Sequence, residues 1–537
     1  MAPTAEPIEQ ILAELPAKYR GPGGAVAVVQ DGQLVGQKIW GFADLQEGVP
    51  MTSDTVIPIC SISKQMTCGL LTDLQLRPTP AMAARSAPAA QQLADAVAAV
   101  LPLVRDTGLT LDLLCNNQSG LRDYWALTVL WGARPETPFS IERHGPQMLQ
   151  RLGALHFAPG TQYSYANTNF YVIARAVEAV TGQPLAELLR ERIFAPAGMK
   201  TAFLCADTAT HPGPCVGHEG NEKDGFYPGD NRIEWAGDAG IVASLTDMVA
   251  YEQFVDAHRD DAESWYGRNS TRQQFRDGAP SDYGFGLSRH LVGDVELVGH
   301  GGALRGYRLT RVYATAARTS VVALLNEEHA KAGGLCDYVI ERLLGAAAVP
   351  VSAVEPGAGF LGTYLDPESD LAVTVGKGEA AGKLSFLYHR SAVDLTPVAA
   401  NKAVSKDVTA VLNGDVLEVT IPADNRTFRA HRVPVAPPRG NYAALHGRFR
   451  CAEVDSEFSC SGTDGMLYGS FDGFLGKGPV HLVRPLAVDV FALACPRAMD
   501  SSPPGDWTVV ARRGAGGEID RVTIGCWLAR KLEFVRV

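Results

Sequence analysis

The segment Ile59-Cys-Ser-Ile-Ser-Lys-Gln-Met-Thr-Cys68 places Ser61 three residues before Lys64. On a helix, residues at this spacing share one face and their side chains come within contact range. A serine hydroxyl is a weak nucleophile at neutral pH and needs an adjacent base, which a neutral lysine can provide. S-x-x-K is a short pattern that also describes a helix-start serine beside an exposed lysine. It therefore indicates a nucleophile only when other motifs accompany it.

A second motif, Tyr165-Ala-Asn167, lies in the polar segment 159–170. A phenol beside a lysine can share or relay a proton, so the spacing leaves open which of Lys64 and Tyr165 is the general base. The amide of Asn167 can orient that lysine or hold a substrate carbonyl. A polar turn after Pro159-Gly would explain the Asn and Thr residues but not the whole spacing.

A third motif, Gly299-His300-Gly301-Gly302-Ala303, follows the β-type run Val295-Glu-Leu-Val. Small residues at this point allow a substrate backbone to lie along an edge strand. The alternative is a β-turn with an incidental histidine.

The order S-x-x-K, Y-x-N, H-G-G resembles that of the penicillin-recognising serine hydrolases, and the resemblance covers roughly residues 7–345. It is strongest to the branch that holds class C β-lactamases, D-alanyl carboxypeptidases, related esterases and D-stereospecific aminopeptidases. Three further segments support it: Leu114-Cys-Asn-Asn-Gln-Ser-Gly-Leu-Arg-Asp-Tyr124, which resembles the family's L-L-T-H-T-S-G-L, Pro159-Gly-Thr-Gln-Tyr-Ser-Tyr-Ala-Asn167 and Trp40-Gly-Phe-Ala-Asp44.

The chain departs from the family pattern at two positions. Asn117 replaces the histidine of L-L-T-H-T-S-G-L, and His300 replaces the lysine of the common K-T-G motif. A histidine is mostly neutral at pH 7, so carboxylate recognition is weakened unless Arg305 or Arg308 restores a cation. The ordinary histidine pKa of ~6.5 predicts a pH dependence of activity near that value.

Composition excludes several classes of protein. The chain has 48 Lys plus Arg and 59 Asp plus Glu, so its net charge is −11. An acidic chain of this kind is a poor candidate for binding nucleic acid or an anionic membrane. No stretch approaches the ~20 apolar residues of a membrane span. The ten cysteines form no CxxC pair, so we expect reduced thiols, no metal and no cofactor in a cytoplasmic protein. Residues 1–7 lack a basic region and an apolar core, and no signal peptide is expected.

Periodicity predicts an α/β (α+β) catalytic domain over residues 1–345, with an antiparallel sheet flanked by helices. After it, short β-type runs alternate with Gly, Asp and Asn turns, which predicts two small antiparallel β-barrels over 346–436 and 437–537. Gly362, Tyr364 and Glu368 recur 85 residues later as Gly447, Phe449 and Glu453. A duplicated β module explains this match, and two unrelated modules are the alternative.

The three-part layout resembles the bacterial D-aminopeptidases, and this implies release of N-terminal D-amino acids, such as D-Ala, from peptides, amides and esters. Acyl transfer would proceed through Ser61, and the D preference comes from the resemblance alone. Expected partners are small substrates with a free N-terminus and β-lactams as inhibitors, and a homodimer is the working hypothesis. The alternatives are an esterase, a D-alanyl carboxypeptidase and a non-catalytic penicillin-binding sensor.

The resemblance also assigns roles. It implies an oxyanion hole at the backbone N–H groups of Ser61 and Ala303, with His300 lining the pocket, and a loop of the last domain that enters the active site. An aminopeptidase needs an anion for the substrate ammonium group. Asp500, in the middle of the Pro- and Gly-rich segment 495–506, is the candidate, with Asp506 and Asp472 as rivals.

Overall fold

The computed structural model describes residues 6–346, 354–357, 359–436, 442–495, 497, 499–500 and 504–537. The predicted domain boundaries at 345/346 and 436/437 adjoin residues 347–353 and 437–441, which lie outside the described residues, so both boundaries stay predictions. No helix in the described ranges is long and apolar enough to cross a membrane.

Helices are confined to the first part of the described chain. Their bounds are α1 Ile8–Lys18, α2 Ser63–Leu76, α3 Pro80–Ala83, α4 Ala89–Val100, α5 Leu111–Cys115, α6 Tyr124–Leu130, α7 Ile141–Gln150, α8 Asn167–Thr181, α9 Leu185–Leu189, α10 Leu245–His258, α11 Trp265–Asn269 and α12 Ala332–Leu344. Single 3-10 turns occur at Cys60–Ile62, Pro102–Val104, Thr208–Thr210, Pro422–Asp424 and Tyr442–Leu445, and a π turn occurs at Arg190–Phe194.

The strands of the first domain are β1 Gly23–Gln30, β2 Gln33–Asp44, β3 Val49–Pro50, β4 Ile57–Pro58, β5 Phe203–Leu204, β6 His218–Asn221, β7 Gly225–Pro228, β8 Ile241–Ala243, β9 Tyr283–Gly284, β10 Leu287–Val292, β11 Val295–Leu304, β12 Tyr307–Ala314 and β13 Thr319–Leu325. Eight of them form one antiparallel sheet in the order β3-β2-β1-β13-β12-β11-β10-β9. The predicted hairpin at Asp31-Gly32 joins β1 to β2.

Strand β1 is buried on both faces, which explains its unbroken apolar run. Val26 and Val28 pack with Leu15 of α1 and Leu335 of α12 in one cluster. Ala27, on the opposite face, belongs to the larger core that also holds α2 and α8. The predicted sheet with flanking helices is therefore confirmed.

The remaining strands form two antiparallel barrels, as predicted. The first is a closed eight-stranded barrel of β14 Gly362–Asp366, β15 Leu371–Lys377, β16 Leu384–Leu387, β17 Val393–Ala399, β18 Lys402–Val404, β19 Thr409–Asn413, β20 Val416–Ile421 and β21 Arg426–Arg432. The second consists of β22 Gly447–Cys451, β23 Ser456–Thr463, β24 Met466–Gly473, β25 Gly476–Lys477, β26 His481–Ala487, β27 Val490–Leu493, β28 Trp507–Arg513, β29 Ile519–Cys526 and β30 Ala529–Arg536. The β23–β24 pairing closes its ring, and β25 extends from β24.

The two barrels begin with the same local structure. The guanidinium of Arg432 lies 4.6 Å from the Tyr364 ring centre, and that of Arg536 lies 4.5 Å from the Phe449 ring centre. These pairs face each other across β14–β21 and β22–β30. The offset of 85 residues in the sequence thus corresponds to equivalent strands, which supports a duplication.

The second barrel packs directly on the first domain. Trp131 donates from Nε1 to the Val454 carbonyl at 2.9 Å, and a Cβ on Gly132 would lie 1.9 Å from the Gly476 carbonyl oxygen. The two bodies share one continuous apolar cluster, whereas the first barrel has its own core. The second barrel is thereby fixed against the first domain by shared apolar packing.

Candidate active site

Ser61 lies on the 3-10 turn Cys60–Ile62, immediately before α2. Cys60 has a φ of 52°, a left-handed conformation that costs a non-glycine residue free energy and persists where its surroundings impose it. The turn presses against β11, since a Cβ on Gly302 would lie 2.4 Å from the Ile59 carbonyl oxygen. Glycine in the H-G-G motif therefore allows this strand to approach the serine.

Lys64, in the first turn of α2, is fully buried and reaches three acceptors. Its Nζ lies 3.0 Å from Ser61 Oγ, 2.7 Å from Asn167 Oδ1 and 2.6 Å from the Asp238 carbonyl oxygen. Burial lowers the pKa of Lys64 to about 8, although the negative charges of Asp238 and Asp123 oppose the shift. About half of the amines are therefore neutral near pH 8, and the neutral fraction falls as the pH decreases.

Tyr165 approaches the serine from the other side. Its hydroxyl donates a hydrogen bond to Ser61 Oγ at 2.8 Å. Burial raises the pKa of Tyr165 above its ordinary value, so the phenol keeps its proton. The structure therefore brings Ser61, Lys64, Tyr165 and Asn167 together, as the motifs predict.

Two buried carboxylates support this group, and the sequence reasoning missed both. Asp123 Oδ1 accepts from the Asn167 backbone N–H at 2.7 Å and from its Nδ2 at 2.9 Å, and burial raises the Asp123 pKa to about 6. Asp238 accepts from Tyr124 OH at 2.8 Å and Trp125 Nε1 at 3.1 Å. Asp123 lies within the quoted segment 114–124, but no local spacing ties it or Asp238 to Lys64.

Asn117 has a structural task where the family carries histidine. Its Oδ1 accepts from the Ala166 backbone N–H at 3.1 Å and from Asn169 Nδ2 at 2.8 Å. These bonds hold the chain on either side of Asn167, so Asn117 links the second motif to the segment before α6.

His300 is buried on β11 with both ring nitrogens engaged. Nδ1 lies 2.5 Å from the Gly301 carbonyl oxygen and must donate to it, which leaves Nε2 to accept from Tyr283 OH at 3.0 Å. Burial, together with the charge of Lys64, lowers the pKa of His300 to about 3. The expected titration of His300 near pH 6.5 is therefore wrong, because a ring with a pKa of about 3 is neutral at mildly acidic, neutral and alkaline pH.

Strand β11 presents an open edge beside the serine. Its pairing with β10 ends at Ser288↔Gly299, while its pairing with β12 continues to Leu304↔Tyr307. A two-residue turn joins β11 to β12, so Leu304 and Tyr307 form a hydrogen-bonded pair. Hydrogen-bonded and non-hydrogen-bonded residues alternate along an antiparallel strand, so the N–H groups of Gly301 and Ala303 point away from β12, toward the open edge. Ala303 and Ser61 line the same cavity, a placement that suits the oxyanion hole expected of them.

The cavity at Ser61 has a volume of about 670 Å³ and walls from all three domains. The first barrel contributes the segment between β16 and β17, and the second contributes the β29–β30 turn. The residues concerned are His389, Arg390, Ser391, Val393, Trp527 and Leu528. Among the described residues, the segment of the last domain that reaches the site is the β29–β30 turn with Trp527. A loop of the first barrel, which no sequence motif indicated, also lines the cavity.

Asp500 does not line this cavity. Its carboxylate is fully buried, accepts from the Arg232 backbone N–H at 2.6 Å and lies 3.7 Å from Arg305 Nη1. Asp506 pairs with Arg484 at 2.6 Å, and Asp472 lines a different cavity. The assignment of Asp500 to the substrate ammonium group is therefore not supported by its position, since a cation of the chain already faces it. Residues 496, 498 and 501–503 of the same segment lie outside the described residues.

Of the two arginines expected to supply a cation near His300, only Arg308 lines the cavity. Arg308 lines the cavity but pairs with Glu328 at 2.7 Å, and Arg305 points instead to Glu219 at 2.8 Å. Arg390, on the loop of the first barrel, lines the cavity without a hydrogen bond or ion pair among the described residues.

Comparison with known proteins defines first the class and then the family. Residues 8–344 match the β-lactamase family, and residues 353–535 match the family described as "D-aminopeptidase, domain B". The chain is 42% identical to a D-aminopeptidase of Brucella anthropi over 99% of this chain and 98% of that protein. It therefore belongs to the β-lactamase family and, over its whole length, to the D-aminopeptidase family.

Solved structures agree on the fold. An octameric penicillin-binding protein homologue from Pyrococcus abyssi aligns with a TM-score of 0.52 and 19% identity, over 79% of this chain and 98% of that one. A D-amino acid amidase from Ochrobactrum anthropi in complex with D-phenylalanine aligns with a TM-score of 0.50 and 20% identity, over 63% and 98%.

Proposed function

We propose that this protein is a D-stereospecific aminopeptidase that releases an N-terminal D-amino acid from amides, esters and short peptides. One observation carries the chemistry: Ser61 Oγ lies between Lys64 Nζ at 3.0 Å and Tyr165 OH at 2.8 Å, on the wall of a cavity. A nucleophile within hydrogen-bond reach of a base and an acid is the arrangement that acyl transfer requires. The family membership supports the choice of substrate and its D configuration.

In acylation, neutral Lys64 takes the Ser61 proton while Oγ bonds to the substrate carbonyl carbon. The carbonyl oxygen becomes an oxyanion that the N–H groups of Ser61 and Ala303 stabilise. Tyr165 donates its proton to the leaving amine as the C–N bond breaks, and the proton on Lys64 then restores the phenol. A water molecule then attacks the acyl-enzyme carbonyl carbon and gives a proton to Lys64. The bond to Ser61 Oγ breaks, Oγ regains a proton, and the free amino acid leaves. The pKa of about 8 favours Lys64 over Tyr165 as the base.

The free amino group of the substrate is expected to be recognised electrostatically. Among the described residues, Asp123 and Asp238 are the two carboxylates that line the cavity, and the negative charge they place close to Lys64 would attract an ammonium ion once that lysine is neutral. The cations that line the cavity are Arg308, which pairs with Glu328, Lys331 and Arg390. The walls formed by Trp527 and by the loop of the first barrel limit the room for groups attached to that nitrogen.

A D-alanyl carboxypeptidase is the second candidate. Arg390 faces the cavity without a carboxylate partner among the described residues, and Arg308 lies beside it, so a substrate carboxylate would find a cation there. An esterase lacks such a specific observation. A non-catalytic sensor is disfavoured because nucleophile, base and acid are all in reach of each other.

The deciding experiment is a panel of D- and L-alanyl p-nitroanilides, their N-acetylated forms and N-acetyl-D-Ala-D-Ala. An aminopeptidase should cleave the free-amine D-alanyl compound and reject its N-acetyl form, with Ser61→Ala as the control for background. Preferential release of D-Ala from N-acetyl-D-Ala-D-Ala would establish the carboxypeptidase instead.

We also propose a cytoplasmic location, because all ten cysteines are buried free thiols, as expected in a reducing compartment.

β-Lactams should act as slow acylators of Ser61. The homodimer stays a prediction, and mass photometry at working concentration tests it.

A further inference from the structure

A second cavity, of about 440 Å³, lies where the first domain and both barrels meet. Arg122 lines it from the first domain, Glu368 and Arg426 from the first barrel, and Arg530 and Lys531 from the second. This cavity is separate from the one at Ser61. Four cationic side chains around one small space require compensation.

Two of these cations have carboxylate partners. Arg122 pairs with Glu453, and Arg426 pairs with Asp366 at 2.8 Å and with Glu368 at 3.1 Å. Their charge is therefore largely neutralised within the protein.

Arg530 differs because no carboxylate contacts it in the described part of the chain. Only 3% of the residue is exposed, and its guanidinium bonds are to neutral oxygens, Gln162 Oε1 at 2.7 Å and the Trp527 carbonyl at 3.4 Å. A buried guanidinium without an anion is costly. Asp424 also acts on Arg530 electrostatically, so the four acids Asp366, Glu368, Asp424 and Glu453 balance the four cations. Arg530 is distinguished by having no carboxylate in contact with its guanidinium among the described residues.

His156 adds an unused donor to the same cavity. Its Nδ1 accepts from the Arg530 backbone N–H at 3.4 Å, so the ring proton lies on Nε2. That Nε2–H is buried and has no partner among the described residues. A guanidinium that no carboxylate contacts, on the wall of a cavity lined by three further cations, is matched by an oxyanion.

We propose that this cavity binds a small monoanion through its oxygen atoms, a carboxylate or inorganic phosphate. The anion accepts hydrogen bonds from the Arg530 guanidinium, the His156 ring lines the same space, and Lys531 at the rim adds to the attraction. The volume of about 440 Å³ admits an ion of a few heavy atoms.

The position of the site couples it to the catalytic cavity. Arg530 follows Trp527 by three residues on the turn that forms a wall of the active site, and Arg122 directly precedes Asp123. Gln162, which bonds Arg530, lies three residues before Tyr165. A bound anion therefore stabilises the turn and raises the affinity for substrate, which appears as a lower KM.

The test compares the full-length protein in sodium chloride, sodium acetate and sodium phosphate at equal ionic strength and pH. Thermal unfolding and isothermal titration calorimetry measure binding, with acetate and phosphate as separate probes of the two chemistries. We expect at least one of them to raise Tm above the chloride value and to show saturable heat with a stoichiometry near one.

Arg530→Gln should weaken that binding at least about tenfold, the loss expected for a charge-assisted hydrogen bond. Lys531→Gln, at an exposed rim position, should weaken it less and guards against a folding defect in the first variant. Arg521→Gln, on the exposed face of β29, is the matched control and should bind as the unmodified protein does. Absence of acetate and phosphate effects beyond chloride, or equal binding by Arg530→Gln and Arg521→Gln, would overturn the proposal.

Discussion

Lys64 Nζ donates a hydrogen bond to Asn167 Oδ1 at 2.7 Å, although the two residues are 103 positions apart in the chain. The same amide donates from Nδ2 to Asp123, so a carboxylate that the lysine does not touch fixes its position. The base is thus held by a relay of buried polar groups, and its distance to Ser61 depends on all of them.

The first prediction concerns the nucleophile. Ser61→Ala should abolish hydrolysis, and mass spectrometry after treatment with a mechanism-based serine acylator should locate the label on Ser61. Lys64→Ala and Tyr165→Phe should each lower kcat by at least ~10²-fold, the lower end for a positioned proton-transfer group. A label at another residue, or turnover by the alanine variant, would contradict the assignment.

The second prediction concerns pH. Lys64 is active when neutral, so kcat/KM should rise with pH and level off above the lysine pKa of about 8. The negative charge of Asp238 raises the Lys64 pKa, so Asp238→Asn should lower that pKa and move the rising part of the pH–rate profile, its limb, to lower pH. Circular dichroism is needed to verify that the variant folds. A limb that does not move, or moves upward, would show that another group controls it.

The third prediction separates His300 from the pH profile. Because burial keeps its pKa near 3, His300→Gln should leave the limb near pH 8 in place while changing the magnitude of kcat/KM. The measurement is a pair of pH–rate profiles for the variant and the unmodified protein. Loss of an inflection near pH 6.5 in the variant would restore the histidine as the titrating group.

The fourth prediction concerns the wall supplied by the second barrel. Trp527 lines the cavity and donates from Nε1 to the Pro504 carbonyl at 2.9 Å. Trp527→Ala should enlarge the cavity and admit N-acetylated substrates that the unmodified protein rejects, whereas Trp527→Phe should retain most of the exclusion. The readout is the ratio of kcat/KM for free and acetylated amines, and an unchanged ratio would mean that this turn does not exclude them.

The fifth prediction concerns Asp500, whose carboxylate faces Arg305 outside the cavity. Asp500→Asn should lower Tm, because it removes a negative charge beside the partly buried Arg305. It should change kcat/KM for free-amine substrates and for simple esters by the same factor. A selective loss of free-amine substrates of ~30-fold or more, the cost of removing one partner of a buried charge pair, would restore it as the ammonium partner.

The sequence by itself determined the nucleophile group and the domain types. Ser61 and Lys64 are three residues apart, so helical geometry brings their side chains together, and Tyr165 and Asn167 are close enough in the chain for one segment to carry both. The barrels were predictable because β-type runs separated by turn residues are a local property of the chain. The repeat of Gly362 and Tyr364 at Gly447 and Phe449 is likewise visible without any coordinates.

Only the tertiary structure decided the environment of these groups. The lowered pKa values of Lys64 and His300 arise from burial by segments far away in the chain, and no motif encodes burial. Asp123, Asp238 and Trp527 became part of the site because strands and turns from separate regions converge there. The surroundings of Asp500 were likewise decided by the tertiary structure, since the charge that faces it, Arg305, is set by how the last barrel docks on the β11–β12 turn, and its assignment to the substrate ammonium group stays a prediction. Position along the chain specifies which chemical groups are available, and packing between domains specifies which of them meet.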